Sequence, residues 1–171
     1  MPTSTFSCRN DDADVYMFTR VGKFTYLREG AGVHAHNDIL SILLNLKGRQ
    51  VFIDKGCLFY NSGLDIRKTD RMILSHNTVS LSGIEMNCIG NGFYFNYPYS
   101  TFIDKTQEDD LIFEGLLSYY GMNHIRKIKS LKNLIIINDE IKTDFSQNKE
   151  GTINYLLHPD IKATKLNDES I

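Results

Sequence analysis

His34-Ala35-His36-Asn37-Asp38-Ile39-Leu40-Ser41-Ile42-Leu43-Leu44-Asn45-Leu46 opens on two of the chain's five histidines and closes on its strongest apolar run. From Ile39 to Leu46 the run is apolar on both parities. Leu40, Ile42, Leu44 and Leu46 share one side, and Ile39 and Leu43 share the other. That pattern predicts a strand buried on both faces. Gly48 follows at once and Gln50-Val51-Phe52-Ile53-Asp54 reads as a second strand, so Leu46-Lys47-Gly48-Arg49 is expected to form a hairpin turn. If the histidines sit on an extended lead-in to this strand, His34 and His36 are two residues apart and point the same way.

Outward from this hairpin the chain is a series of short strands punctuated by turn residues. Val15–Arg20 and Phe24–Arg28 read as a hairpin around Val21-Gly22-Lys23, preceded by a polar, irregular Ser7–Ala13. Tyr60–Asp70 is polar and rich in turn residues. Thr78–Leu81 is a short strand, and Phe93, Phe95 and Tyr97 alternate. Leu111–Tyr120 and His124–Leu131 are joined by Gly121-Met122-Asn123. Leu134–Asn138 follows Lys132-Asn133, and Ile153–His158 closes the series. Residues 124–131 also suit a helix face through Ile125, Ile128 and Leu131. The sum predicts an all-β fold, an antiparallel β-sandwich of jelly-roll type.

The 171 residues are read as a single domain, 1–171, long enough to bury a core. A net charge of −2 and a pI near 6.2 supply no global attraction to nucleic acid. No apolar stretch approaches the roughly 20 residues of a membrane-spanning helix, so no membrane span is expected. Met1–Cys8 lacks the apolar core of a signal peptide. Leu166–Ile171 has no stop-like character, so the domain is expected to be a fragment of a longer chain. Cys8, Cys57 and Cys88 are odd in number and widely spaced, which predicts small buried or half-buried residues instead of a disulfide framework or zinc knuckle.

Three further residues carry chemistry. Asp54 ends an apolar strand, an unfavourable place for a carboxylate without a partner. His76 precedes Asn77-Thr78-Val79 at another strand entry. Two histidines and a carboxylate with an open position form a common zinc arrangement, which His36, Asp54 and His76 could supply, with His34 beside the metal as a proton-transfer group. The alternative is a set of hydrogen-bonded polar groups at strand ends. Arg67 and Arg71 could clamp a carboxylate or sulfate, or could simply be solvated. His124, beside Arg126 and Lys127, reads as a surface residue, and His158 as a strand terminator. The aromatic residues from Phe93 to Tyr99 read as core in preference to a sugar-stacking platform.

Taken in order, His34–Ser41, Phe52-Ile53-Asp54-Lys55-Gly56, Tyr60-Asn61, Arg67, Arg71, His76-Asn77-Thr78-Val79, Ile136–Ile141 and Leu157-His158-Pro159 resemble the heparinase II/III-like domain of bacterial polysaccharide lyases. The resemblance spans roughly residues 15 to 160. It implies a β-sandwich that normally follows an α-helical toroid, with the active site in the cleft between them. It also implies zinc or another divalent metal on His36, Asp54 and His76, with His34 catalytic at the substrate and Tyr60 assisting. The expected substrate is an acidic, uronate-containing polysaccharide cleaved by β-elimination, in the periplasm or at the cell envelope.

Two departures qualify the match. Lys55 stands where the family's Asp-Pro-Gly has proline. The toroid, which in the family supplies the carboxylate-neutralising Asn or His and the Tyr base and acid, is missing, so the isolated chain is expected to be inactive. Two other functions were weighed. One is a non-catalytic carbohydrate-binding or accessory domain with a structural metal. The other is a cupin, which usually places a Glu about four residues after its H-x-H, where Leu40 and Ser41 stand here.

Overall fold

A computed structural model describes residues 4–11, 14–21, 34–58, 63–81, 84–89, 95–96, 100–104, 111–131, 134–144 and 150–165. Strands β1 (Ser4–Asn10), β2 (Val15–Val21), β3 (Ile42–Leu46) and β4 (Arg49–Phe52) form one antiparallel sheet in that order. Strands β8 (Ser100–Asp104), β9 (Leu111–Tyr119), β10 (Met122–Leu131) and β11 (Leu134–Thr143) form a second antiparallel sheet as a meander. Two ribbons complete the strands: β5 (Val79–Leu81) with β12 (Gly151–Ile153), and β6 (Cys88–Ile89) with β7 (Phe95–Asn96). One helix, α1 (Leu64–Arg71), and a 3-10 turn, Ile73–Ser75, lie between β4 and β5. The fold is the expected all-β sandwich.

Alternation builds the shared core. In β2, Val15, Met17, Thr19 and Val21 are buried and the intervening residues face outward. In β10, Met122, His124, Arg126, Ile128 and Ser130 face inward. Val15, Met17, Ile42 and Leu44 of the first sheet join Phe113, Leu117 and Ile128 of the second in one apolar cluster. Burying each such side chain contributes about 1.5–3 kcal/mol against the entropy of ordering it. Phe6 and Phe113 meet across the layers with ring centroids 5.3 Å apart.

The turns decide the registers. Lys47 and Gly48 both have positive φ, 51° and 72°, the signature of a two-residue type I′ hairpin, and Leu46 pairs with Arg49 as expected. Tyr120 and Gly121 do the same for β9 and β10, with φ of 45° and 73°, so Tyr119 pairs with Met122. The turn therefore falls one residue earlier than Gly121-Met122-Asn123, because Gly121 supplies the second left-handed position. Residues 124–131 are strand, not helix.

Four sequence expectations are corrected. The partner of β2 is Ser4–Asn10, a regular strand, and β3 occupies its other edge; Phe24–Arg28 lies outside the described residues. β3 is buried on one face only, with Leu43 36% exposed, and Ile39 and Leu40 belong to a turn before the strand. The Tyr60–Asp70 stretch contains α1. The Ile153–His158 strand ends as a ladder at Ile153, because the chain changes partner there. Asn154 N–H still donates to Thr78, but Leu156 accepts from Ile53 and His158 donates to Val51, along the edge of β4.

Cys8 is half-buried as expected, whereas Cys57 is exposed, which corrects the reading of it as a buried or half-buried residue. Among the described residues no helix is long and apolar enough to cross a membrane.

Gly115 of β9 faces the core opposite Arg126. A Cβ there would lie 2.6 Å from both Leu40 Cδ2 and Phe113 Cζ, and both side chains are buried. Gly115→Val is expected to cost about 1–3 kcal/mol in denaturant unfolding, the usual penalty for overpacking a filled core. An unchanged midpoint would show that the two neighbours yield freely.

Candidate active site

The histidine loop is held by its backbone. Arg71 Nε donates to the Ala35 carbonyl at 2.8 Å, and Asn37 N–H donates to the Arg71 carbonyl at 2.9 Å. Buried Asn37 uses its whole side chain: Nδ2 donates to Glu85 and to the Asn87 carbonyl, and Oδ1 accepts from Asn87. Arg20 pairs with Asp38. Leu40 then takes a left-handed φ of 60°, a strained conformation for a bulky residue, costing about 1–2 kcal/mol. Its surroundings enforce that turn, since Leu40 N–H donates to Arg20 and its side chain is fully buried. His34 is exposed at the start of the loop and His36 half-buried, so the two do not share one environment.

Each residue of His76-Asn77-Thr78 has a separate task. Asn77 Nδ2 donates to the carbonyls of Ile42 and Ile53, and its Oδ1 accepts from Leu156 N–H, tying the start of β3 to the end of β4. Thr78 Oγ1 donates to the Ile39 carbonyl at 2.8 Å. His76 Nδ1 lies 2.7 Å from Asp54 Oδ2. Asp54 Oδ1 accepts from Gly56 N–H at 2.7 Å, and Gly56 has a φ of 66°, a conformation that glycine adopts without strain. The D-x-G spacing is thus a side-chain-capped turn that aims the carboxylate.

These tethers bring His36, Asp54 and His76 together. The rings of His36 and His76 have centroids 5.1 Å apart and are tilted by 49°. Burial lowers the His36 pKa to about 4, aided by the charges of His76, Arg71 and Arg20 and opposed by Asp54, so its imidazole is neutral near pH 7. Burial acts to raise Asp54, but the hydrogen bonds from His76 and Gly56 outweigh it and hold the group as a carboxylate. His76 Nε2 is buried and, among the described residues, has no hydrogen-bond partner. Two imidazoles, a carboxylate and an orphaned buried nitrogen are donor types suited to a divalent metal, although Asp54 meets His76 at Nδ1, on the other side of the ring from Nε2. Among the described residues, however, no three His, Cys, Asp or Glu side chains stand in a closed metal-holding cluster.

Arg67 and Arg71 are 2% and 0% exposed on α1, so the alternative of simple solvation is corrected. Burial, together with neighbouring Arg67, lowers Arg71 to about 10, which leaves it charged at neutral pH. Arg71 grips the Ala35 carbonyl, and Arg67 Nη1 lies 3.6 Å from Cys57 Sγ. Neither guanidinium faces solvent. Tyr60 lies outside the described residues.

A second correction concerns His124, which is fully buried together with Arg126. Arg126 directly opposes Asp139 across β10 and β11. Its Nε and Nη2 donate to the two Asp139 oxygens at 2.7 and 3.0 Å. Its Nη1 crosses the sandwich to the carbonyls of Leu40 and Asn77, at 2.7 and 2.6 Å. Tyr155 Oη and His124 Nε2 complete the Asp139 shell, each at 2.7 Å. The signal was available in Ile135, Ile137, Asp139 and Ile141, which share one strand parity. A carboxylate among three inward isoleucines requires a buried cation.

The whole chain matches one family. The model of the heparinase II/III-like C-terminal family covers residues 2–171, and the chain belongs to that family. No curated protein matches it.

Removing one member of the buried pair strands the other. Arg126→Met is expected to cost about 3–5 kcal/mol in denaturant unfolding; a loss below about 1 kcal/mol would show that the carbonyls and Asp139 find other partners.

A pH effect follows from His124. Burial lowers its pKa, with Arg126 acting the same way and Asp139 opposing. The folded state therefore binds fewer protons than the unfolded state below the ordinary value of about 6.5, and this contribution is lost as pH falls through it. With chelator present, thermal unfolding of His124→Gln is expected to show a shallower loss from pH 7 to 5 than wild type. Parallel curves would assign the loss elsewhere.

Proposed function

We propose that this chain is the β-sandwich part of a polysaccharide lyase that cleaves uronate-containing polysaccharide by β-elimination, with a divalent metal, zinc by ligand type, held by His36, Asp54 and His76. The observation that carries this reading is the approach of those three side chains, with His76 Nδ1 2.7 Å from Asp54 and the His36 and His76 rings 5.1 Å apart, in a chain that matches the family over residues 2–171. When bound, the metal supplies a fixed positive charge; elimination consumes no water, so hydroxide generation is not its task.

In β-elimination a base removes the proton α to the uronate carboxylate and an acid protonates the departing glycosidic oxygen. The proton becomes acidic enough only when the carboxylate charge is stabilised, so electrophilic groups accompany the base. His34, exposed two residues before His36, contacts the sugar and moves a proton. Tyr60 assists that transfer. Arg67 and Arg71 act from beneath: Arg71 holds the histidine loop at Ala35, Arg67 lies against Cys57, and their buried charge favours an anion at the surface above. The remaining groups come from a helical toroid, which is the partner this reading requires.

A non-catalytic carbohydrate-binding or accessory domain with a structural metal is the second reading, favoured by the burial of Arg67 and Arg71, which leaves neither guanidinium at the surface to grip a substrate. Elemental analysis of purified protein and ultraviolet absorbance of the unsaturated product separate the two. Stoichiometric metal, lost in His36→Ala, is expected, with little or no turnover of acidic polysaccharides by this chain alone and turnover once a toroid is supplied. A metal-free wild type, or undiminished metal in His36→Ala, would reject the site. Glycan binding without cleavage, with the toroid present, would establish the accessory reading.

A further inference from the structure

The outer face of the first sheet carries a groove that runs into the site. Tyr16 pairs with Asn45 and Asn45 with Gln50, so three side chains lie in one row across β2, β3 and β4. Tyr16 is 50% exposed and Leu43, in the next row, 36%. With Asp54 and His158 they border a cavity of about 580 Å³. A second cavity of about 700 Å³ shares Gln50 and His158 and adds Arg49. Asp54 belongs to the candidate metal site, so the trough is continuous with it.

We propose that this trough is a glycan subsite that takes a neutral sugar unit over Tyr16, with the next acidic unit towards Arg49. The proposal rests on the polysaccharide reading above. A pyranose ring presents an apolar C–H face and a rim of hydroxyls that both donate and accept. Tyr16 and Leu43 offer an exposed aromatic and apolar floor, and the Asn45 and Gln50 amides both donate and accept. His158 is also oriented. Its Nδ1 lies 3.3 Å from Asp160 N and 3.7 Å from Asp160 Oδ2, which holds the ring at the rim of both cavities. The first cavity holds no lysine or arginine among its lining residues and has Asp54 at one end, so it suits an uncharged ring. Among the described residues, the adjoining cavity is lined by the cation Arg49 and also by Asp160. The volumes fall in the range of about 300–1,000 Å³ typical of small-ligand sites.

Calorimetric titration of the zinc-loaded chain with oligosaccharides of alternating glucuronate and N-acetylglucosamine, from disaccharide to octasaccharide, tests this. Affinity is expected to rise with length, and polyuronate oligomers of equal length are expected to bind more weakly. Tyr16→Ser and Gln50→Ala are each expected to weaken octasaccharide binding about tenfold while leaving the disaccharide and the melting temperature unchanged. Affinity independent of length, or wild-type octasaccharide binding by both variants, overturns the subsite and leaves the glycan reading standing. Absence of binding by every oligosaccharide overturns both. A dimer in wild type that Tyr16→Ser converts to monomer, with sugar affinity unchanged, assigns the groove to a second copy and likewise overturns the proposal.

Discussion

Arg126 sets the position of everything that surrounds the histidines. A guanidinium taken fully out of water carries a desolvation cost of several kcal/mol, and only complete pairing offsets it. Here Asp139 neutralises the charge, and Tyr155 and His124 occupy the carboxylate positions that Arg126 leaves. The remaining donor nitrogen, Nη1, is satisfied only by the carbonyls of Leu40 and Asn77. The pair therefore adds little net stability over an apolar substitute. What it adds is a single permitted distance between the second sheet and the two segments that carry His36 and His76. Any other placement leaves a buried donor or carbonyl unmatched, at about 1–3 kcal/mol each.

The site is assembled from backbone carbonyls and short polar side chains more than from apolar packing. Asn77, Asn37 and Thr78 each hold strand ends or loops that share no sheet ladder with their own segment. This explains why a chain with an ordinary hydrophobic content buries so many polar groups near one end of the sandwich. It also explains how a leucine at φ 60° is tolerated: its N–H, carbonyl and side chain are all engaged.

The hairpins were legible because type I′ turns need left-handed residues, and Lys47-Gly48 and Gly121 announce them. β3 and β9 were legible from their apolar runs. Helix α1 was not, because its pattern is inverted. Arg67, Asp70 and Arg71 are buried while Ile66 is 45% exposed, and its N-cap is left-handed Gly63 with no capping side chain. A reading based on apolar periodicity and caps has nothing to detect there. His36, Asp54 and His76 were legible as residue types at strand ends, but only the fold could show that Asp54 orients His76. His124 and Arg126 read as surface because adjacent positive residues usually are; the register of the next strand, which places Asp139 opposite Arg126, decides their face.

The meander of β9, β10 and β11 is joined by a two-residue turn at Tyr120-Gly121, and its pairings are local in sequence. The contact from Arg126 to Leu40 spans 86 residues, and those of Asn77 to Ser41 and Ile42 span 36 and 35. Local pairings close quickly and distant ones carry a greater loop-closure cost. Seating the histidine loop therefore carries a greater loop-closure cost than pairing β9, β10 and β11. A ligand there would draw on contacts from both sheets, so it would stabilise the whole sandwich and not one hairpin.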